Sequence, residues 1–367
     1  MSKRTVVVKV GTSTLTAADG RLDRELLSSL VLQIAQIAER GDRTVLVSSG
    51  AIAAGMEALG LSARPCDIPT LQATAAVGQV RLVQTYEELF AEQDMHIGQV
   101  LLTRQDTGHR QQYLHAAHTL ERLLELGVTP VVNENDTTAI DEIRFGDNDT
   151  LAALVALMVH ADLVVLLTDI DGLYSADPRT HEEAHLVTRV EEVSDQVMGC
   201  AAGPGTPMGS GGMTTKLQAA QVLMKAGIPM VVCDGKREDA LCDAAAGVPV
   251  GTLFVGGQAA LTSHKLWIAY VGRPAGSISI DDGAADALRL RGKSLLPAGV
   301  VDVAGSFVPG DPVLVISSAG TPVARGLVMM SAEDLRKVKG MKSEQVRSVL
   351  ADWEGEEVVH RDHLVIV

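Results

Sequence analysis

Thr5-Val6-Val7-Val8-Lys9-Val10-Gly11-Thr12-Ser13 forms the chain's first recognisable element, and its reading decides the fold. Every residue from Thr5 to Val10 except Lys9 is β-branched, the composition of a strand covered on both faces. Lys9 is the anomaly. An ammonium in an apolar strand is costly unless it meets an anion, and Gly11 permits close backbone approach at the strand's carboxyl end, where open α/β sheets bind ligands. The alternative is a lysine at a sheet edge, snorkelling to water.

Outward from this strand, short apolar runs alternate with longer segments of helical period as far as about Val255. Strands are expected at Thr5–Val10, Arg43–Val47, His96–Leu102, Thr129–Val132, Leu163–Leu167 and Ile228–Cys233. Between them Leu27, Leu30, Val31, Ile34 and Ala38 line one stripe of a helix over Arg24–Glu39, and Thr70–Glu92 behaves similarly. This alternation predicts an α/β fold with a mainly parallel open sheet covered by helices on both faces. After Gly256 the texture changes. Both tryptophans, Trp267 and Trp353, fall here, and short strands separated by Gly and Pro replace the long helices. Strands are expected at Ser277–Ile280, Val300–Val303, Pro312–Ile316, Val323–Met329 and His363–Val367, with a short helix at Gly283–Leu290. They read as a small β-barrel. The expected division is a catalytic domain over 1–257, a linker over 258–275, a β-barrel-like module over 276–354 and a terminal strand over 355–367.

Length supports that division, since 367 residues exceed the roughly 250 to 300 at which one core stops growing. Aromatics make up only 3% against 46% hydrophobic residues, so Ala, Val, Leu and Ile must build the core. A net charge of −15 opposes general binding to nucleic acid or an anionic membrane surface and fits a cytoplasmic protein. Leu151–Leu167 is the most apolar stretch, but His160 and Asp162 interrupt it well short of a membrane span. Cys66, Cys200, Cys233 and Cys242 form no CxxC pair and no zinc pattern, and read as reduced, mostly buried thiols.

Four loops carry the chemistry. Gly209-Ser210-Gly211-Gly212-Met213-Thr214-Thr215-Lys216 runs directly into the helical pattern of Leu217–Ala226. Clustered glycines let N–H groups approach phosphate oxygens, a helix start adds positive potential, and Lys216 supplies a full charge. It is not a Walker A loop, because Thr215 precedes and Leu217 follows the lysine. The plain reading is a surface loop before an ordinary helix. Gly11-Thr12-Ser13 is the second loop. Ser48-Ser49-Gly50-Ala51 is the third, and suits a carboxylate or phosphate at a helix start, or simply an N-cap. Asn133-Glu134-Asn135-Asp136 and Gly146-Asp147-Asn148-Asp149 are polar clusters after a strand and before a helix, either Asx turns or part of an active site. Their spacing does not match an EF-hand.

Together these strings resemble the amino-acid kinase family over nearly the whole chain: VKVGTS from Val8, SSGAIAAG from Ser48, VNEND from Val132, GDND from Gly146, TDIDGLYSADPR from Thr168 and GSGGMTTK from Gly209. The order of VNEND, GDND and GSGGMTTK is similar to the branch that phosphorylates the side-chain carboxylate of L-glutamate. The segment from about Gly276 to Glu354 resembles a PUA domain. The resemblance implies transfer of the γ-phosphoryl of ATP to glutamate, giving L-glutamyl 5-phosphate at the start of proline biosynthesis, with free proline as inhibitor. It implies Lys9 and Lys216 on the transferring phosphoryl, with Asp149 orienting both. Gly11, Ser210, Gly211, Gly212, Met213, Thr214, Thr215, Thr168 and Asp169 fall on the ATP side, and Ser49, Asp136, Asp147 and Asn148 on the glutamate side. It also implies Mg²⁺ carried by the ATP phosphates, with no dedicated protein metal site, and a homo-oligomer, dimer or tetramer. The chemistry agrees, because a carboxylate nucleophile is already ionised at neutral pH and needs no strong general base.

Two alternative readings exist. Another carboxylate kinase of the same fold would not be expected to combine VNEND with a PUA-like tail. RNA binding through Arg336, Lys337, Lys339, Lys342 and Arg347 is not favoured, because residues 276–354 carry nine Lys and Arg against ten Asp and Glu. That cluster reads as a solvated helix face.

Overall fold

The computed structural model describes residues 3–17, 19–138, 148–178, 180–181, 183–201, 212–257, 263–272, 274–350, 353 and 355–367. Two compact units divide the chain. The first comprises Met1–Arg104 and Leu114–Ala260, and the second Gln105–Tyr113 and Leu261–Val367.

The first unit is built on an eight-stranded sheet. Its strands are β1 (Thr5–Val10), β2 (Arg43–Ser48), β3 (His96–Leu102), β4 (Val128–Glu134), β5 (Leu163–Thr168), β6 (Arg189–Val190), β7 (Met230–Asp234) and β8 (Thr252–Phe254), in the order β3-β4-β2-β1-β5-β7-β8-β6. Neighbours from β3 to β7 pair in parallel, and β8 pairs antiparallel to β7. β1 is central, flanked by β2 on one side and β5 on the other, which makes it the switch point where ligands bind outside the strand ends. Its β-branched residues are buried because helices cover the sheet, and Lys9 among them is only 7% exposed.

Local signals start two of these helices. Asp23 accepts a hydrogen bond from Leu26 N to cap Arg24–Glu39, and Asp67 does the same from Thr70 N for Ile68–Ala91. The apolar stretch from Leu151 is explained by two buried elements, the helix Asn148–Met158 and β5. No helix among the described residues is long and apolar enough to cross a membrane.

The second unit holds a mixed five-stranded sheet of β9 (Gly276–Ile280), β10 (Val300–Gly305), β11 (Pro312–Ser317), β12 (Pro322–Val328) and β13 (Val359–Ile366), ordered β10-β9-β11-β12-β13. It wraps its own core, to which Ile278, Val313, Val323 and Leu335 contribute. Gln105–Tyr113, which follows β3 in sequence, belongs to this unit. There Trp267 Nε1 donates to Thr107 O at 2.9 Å, and the Tyr113 ring packs on Trp267 at 6.0 Å.

Of the cysteines, Cys233 and Cys242 are buried, Cys200 is partly covered and Cys66 is exposed. Half of the expected thiol burial is therefore seen. Cys66 lies just before the Asp67 cap, outside any packed element.

Candidate active site

Parallel pairing brings the carboxyl ends of β1, β2, β4, β5 and β7 to one edge. Val10 is opposite Ser48 and Leu167, and Thr168 is opposite Asp234. The loops after β1, β2 and β4 emerge at this edge, and the described starts of the helices Asn148–Met158 and Met213–Lys225 meet beside Lys9 there.

At its centre is Asp149, in the first turn of Asn148–Met158 and fully buried. Lys9 Nζ lies 2.5 Å from Asp149 Oδ1, and Lys216 Nζ lies 3.1 Å from Asp149 Oδ2. Lys216 is only 4% exposed and comes from the first turns of the helix Met213–Lys225, which packs against Asn148–Met158. The Thr215 hydroxyl lies 2.9 Å from Asp149 Oδ2 and 2.8 Å from Gly212 O, so its one proton serves both. Burial pushes the Asp149 carboxyl up, but the charges of Lys9 and Lys216 outweigh it, and their hydrogen bonds with that of Thr215 hold the group below the ordinary aspartate range. One carboxylate thus organises two ammonium groups from opposite parts of the chain. The trio carries a net charge of +1 at the edge of the sheet, a focus for an anion.

Asn148, the preceding residue, builds a second cluster. Its Nδ2 lies 2.7 Å from Ser48 O, 2.8 Å from Ser49 Oγ and 3.1 Å from Asn133 Oδ1. Asn133 Nδ2 donates in turn to Gln79 Oε1 at 2.8 Å. Ser48 Oγ donates to Ser49 O at 3.1 Å and meets the Tyr86 hydroxyl at 2.8 Å, leaving the buried phenol as donor. Burial raises the Tyr86 pKa, so it keeps that proton. Gly50 turns the chain after Ser49 at φ 94°, a left-handed conformation that suits glycine.

On the opposite flank of β1, Thr168 ends β5 and its hydroxyl donates to Asp169 Oδ1 at 3.1 Å. Gly11 follows β1 at φ −80°, and a β-carbon built there would lie 3.7 Å from Lys9 Nζ. Gly212 caps the helix on which Met213, Thr214 and Thr215 form the first turn.

The structure therefore brings Lys9, Asp149, Lys216 and Thr215 into one cluster and Asn148 and Ser49 into the next, joined through the Asn148–Asp149 peptide. Asp136 lies two residues past β4, partly buried. Ser210, Gly211 and Asp147 lie outside the described residues. Sequence reading missed Asn133 as an individual residue, and missed Gln79 and Tyr86 altogether. Asn133 was visible as the first polar residue of VNEND, whereas Gln79 and Tyr86 sit in an amphipathic helix without any local signal.

A fixed dicationic pair beside an amphipathic helix start can hold a polyphosphate, while the amide and hydroxyl cluster can hold a small polar molecule next to it. Comparisons with known proteins bear on this arrangement. Residues 4–234 match the model of the amino acid kinase family, and residues 276–350 match the PUA domain. A protein of Caldanaerobacter subterraneus subsp. tengcongensis called glutamate 5-kinase is 47% identical over 99% of this chain and 97% of its own. Its namesake from Geobacter sulfurreducens is 44% identical over the same shares. Among solved structures, the carbamate kinase of Giardia lamblia bound to AMP-PNP aligns with a TM-score of 0.52 at 15% identity, covering 69% of this chain and 99% of its own, which speaks to the fold alone. The chain belongs to the amino acid kinase family, as a kinase with a C-terminal PUA domain.

Proposed function

We propose that this kinase transfers the γ-phosphoryl of ATP to the side-chain carboxylate of L-glutamate, giving L-glutamyl 5-phosphate and ADP, the first step of proline biosynthesis. The observation that carries the reading is the single buried carboxylate of Asp149 held between the ammonium groups of Lys9 and Lys216. The names of the Caldanaerobacter and Geobacter relatives supply the acceptor.

In this reading a glutamate carboxylate oxygen attacks the γ-phosphorus. The new O–P bond forms as the bond to the β,γ-bridging oxygen breaks, and the electron pair leaves with ADP. The nucleophile is ionised at neutral pH, so no proton has to be removed. The barrier is the approach of two anions, and Lys9 and Lys216 offset it with preorganised charge. Asp149 keeps the two ammonium groups apart and aimed. Gly11, Gly212 and the first turn Met213–Thr215, with Ser210 and Gly211 of the same loop, bring backbone donors to the phosphates, and Thr168 and Asp169 hold the nucleotide side. Ser49 can accept from Asn148 and still donate its own hydrogen to a glutamate carboxylate. Asp136, Asp147 and Asn148 complete the acceptor side.

Mg²⁺, carried by the nucleotide, would supply charge neutralisation beside the Lys9 and Lys216 ammonium groups. Among the described residues no group of three or more His, Cys, Asp or Glu is placed to hold a metal by itself. Free proline as feedback inhibitor, a cytoplasmic location and a dimeric or tetrameric state belong to the same proposal and rest on the family resemblance. RNA binding by the second unit is not part of it. Lys337, Lys339 and Arg347 pair with Glu333 and Asp334, Asp302, and Glu356 respectively, so acidic groups interrupt the basic face.

The test is incubation with ATP, Mg²⁺ and L-glutamate followed by trapping of the acyl phosphate with hydroxylamine. Hydroxamate from glutamate, and not from N-acetylglutamate or aspartate, is expected. No product from any of the three would sink the reading. Adding proline should raise the apparent KM for glutamate.

A further inference from the structure

Behind the acceptor cluster three carboxamides form a chain, Gln79 to Asn133 to Asn148, and its direction can be assigned without assumption. Ser48 O is a carbonyl that can only accept, so the group of Asn148 lying 2.7 Å away must be its NH₂. Glu134 N is a backbone N–H that can only donate, so the atom of Asn133 lying 2.8 Å away must be its carbonyl oxygen. That leaves the Asn133 NH₂ facing Gln79, whose carbonyl oxygen receives it. The two anchors belong to the ends of β2 and β4, so the polarity is built into the sheet.

This polarity leaves two buried atoms at the chain's ends, Asn148 Oδ1 and Gln79 Nε2, with no hydrogen-bond partner among the described residues. Asn148 itself is 5% exposed. A buried acceptor without a donor is unfavourable, and native structures rarely leave one unmet. Asn148 Oδ1 sits on the same side chain that contacts Ser49, and it is an acceptor only. A carboxylate cannot satisfy it, whereas an ammonium can.

Gln79 reaches Asn133 because of its neighbour. A β-carbon on Gly78 would lie 1.7 Å from Ala51 O, so only glycine lets the helix Ile68–Ala91 lie against the helix Ala51–Leu59 and bring residue 79 to β4.

We infer that Gln79 is a positioning residue of the acceptor site: by accepting from Asn133 Nδ2 it holds the Asn133 side chain in the orientation that the ends of β2 and β4 set, so that Asn133 keeps accepting from Asn148 and Asn148 presents its carbonyl oxygen to the α-ammonium of the bound amino acid. The inference rests on the proposal that the amino-acid acceptor sits against Asn148 and Ser49. It makes the chain a device for selecting free amino acids over acceptors that lack the ammonium, such as glutarate.

The experiment uses the full-length enzyme with Gln79→Met, Gln79→Glu, Asn133→Ala, the double variant of Gln79→Met with Asn133→Ala, and Asn148→Ala. Gln79→Met removes the acceptor and should raise the KM for glutamate about 10-fold, equivalent to about 1.4 kcal/mol, while the KM for ATP stays within about twofold. The preference for glutamate over glutarate should fall by a similar factor. Gln79→Glu retains an oxygen facing Asn133 and should recover most of the affinity. The double variant should be no worse than Asn133→Ala, because Gln79 acts through Asn133. A Gln79→Met enzyme with unchanged glutamate KM, an equal loss for both substrates, or effects that multiply in the double variant would each overturn the inference. Should Gln79→Met not fold, Gln79→Ala removes the same acceptor with a good helix former and is read identically. If Asn148→Ala leaves the glutamate KM unchanged, the location of the acceptor is wrong. If Asn148→Ala weakens glutamate and Gln79→Met does not, only the role of Gln79 fails.

Discussion

Asp149 stays ionised in full burial because two ammonium groups and a hydroxyl meet its oxygens. Removing its charge by Asp149→Asn leaves two buried lysines uncompensated, which should cost about 3 to 5 kcal/mol of stability at neutral pH and abolish turnover. The sign of the pH dependence follows from the depressed native pKa. The contribution is complete above the ordinary aspartate value of 3.8 and is lost as pH falls through the lower native one. The gap in unfolding free energy between wild type and Asp149→Asn should therefore be constant from neutral pH to about pH 5 and narrow below about pH 4. A gap that closes above pH 5 would contradict the ion triad. On the proposed mechanism, in which the Lys216 charge serves the transferring phosphoryl, Lys216→Ala should cut kcat far more than it raises the KM for glutamate. Gly11 gives a gentler probe. Its φ of −80° accepts any residue, and an added methyl would stand 3.7 Å from the Lys9 ammonium. Gly11→Ala should leave stability within about 0.5 kcal/mol while raising the KM for ATP, by thermal melts and initial rates.

At the scale of elements, the two helices Ala51–Leu59 and Ile68–Ala91 pack backbone against backbone. Gly55 faces Thr74 O and Gly78 faces Ala51 O, each at a separation no β-carbon could enter. Gly78→Ala should force the helices apart, costing about 1 to 3 kcal/mol or more, and carry a rise in glutamate KM through displacement of Gln79. Denaturant melts and kinetics on the same preparation check both. A stable variant with altered KM for ATP alone would show that this pair of helices does not support the acceptor side. The helix Asn148–Met158 plays the complementary part. Its apolar body is buried against β1 and Met213–Lys225, so its first turn delivers Asn148 to Ser49 and Asp149 to Lys9 and Lys216.

For the whole molecule, the placement of Lys9, Asp149 and Lys216 in the first unit and of Trp267 in the second makes a separable prediction. Truncation from Gly276 onward leaves Lys9, Asp149 and Lys216 in place, and measurable kinase activity should remain. It removes β12, whose Arg325 donates to Ala269 O at 2.9 Å, and β13, both of which pack on the Trp267–Val271 turn. Trp267, 1% exposed in the intact chain and the sole remaining tryptophan in the truncated one, should shift its fluorescence to longer wavelength. An unshifted emission would mean that Gln105–Tyr113, through Thr107 and Tyr113, suffices to keep the indole buried.

Much of this was legible in the chain itself. β-branched runs, helix stripes and caps are local properties, so β1, β2, β3, β4, β5 and β7 emerge within a few residues of where periodicity puts them. β6 and β8 do not, because two or three residues carry too little pattern to stand out from a loop. The last strand begins at Val359 rather than His363, since its first half is polar and is recruited by pairing with β12. The strangeness of Lys9 was readable too, as a charge in a strand that needs an anion. Strand pattern alone could not state which anion; only the family resemblance pointed to Asp149, because that carboxylate is brought to Lys9 by packing of a helix 140 residues away in sequence. Gln79 is the extreme case. By sequence it is one polar residue on a helix, and only the close approach allowed by Gly78 turns it toward Asn133 and the acceptor site. Sequence determined the elements and the types of group at their ends, because propensity and burial pattern are local. Tertiary structure decided which of those groups share a proton or a charge, because such pairings depend on distances that only the assembled sheet and helices set.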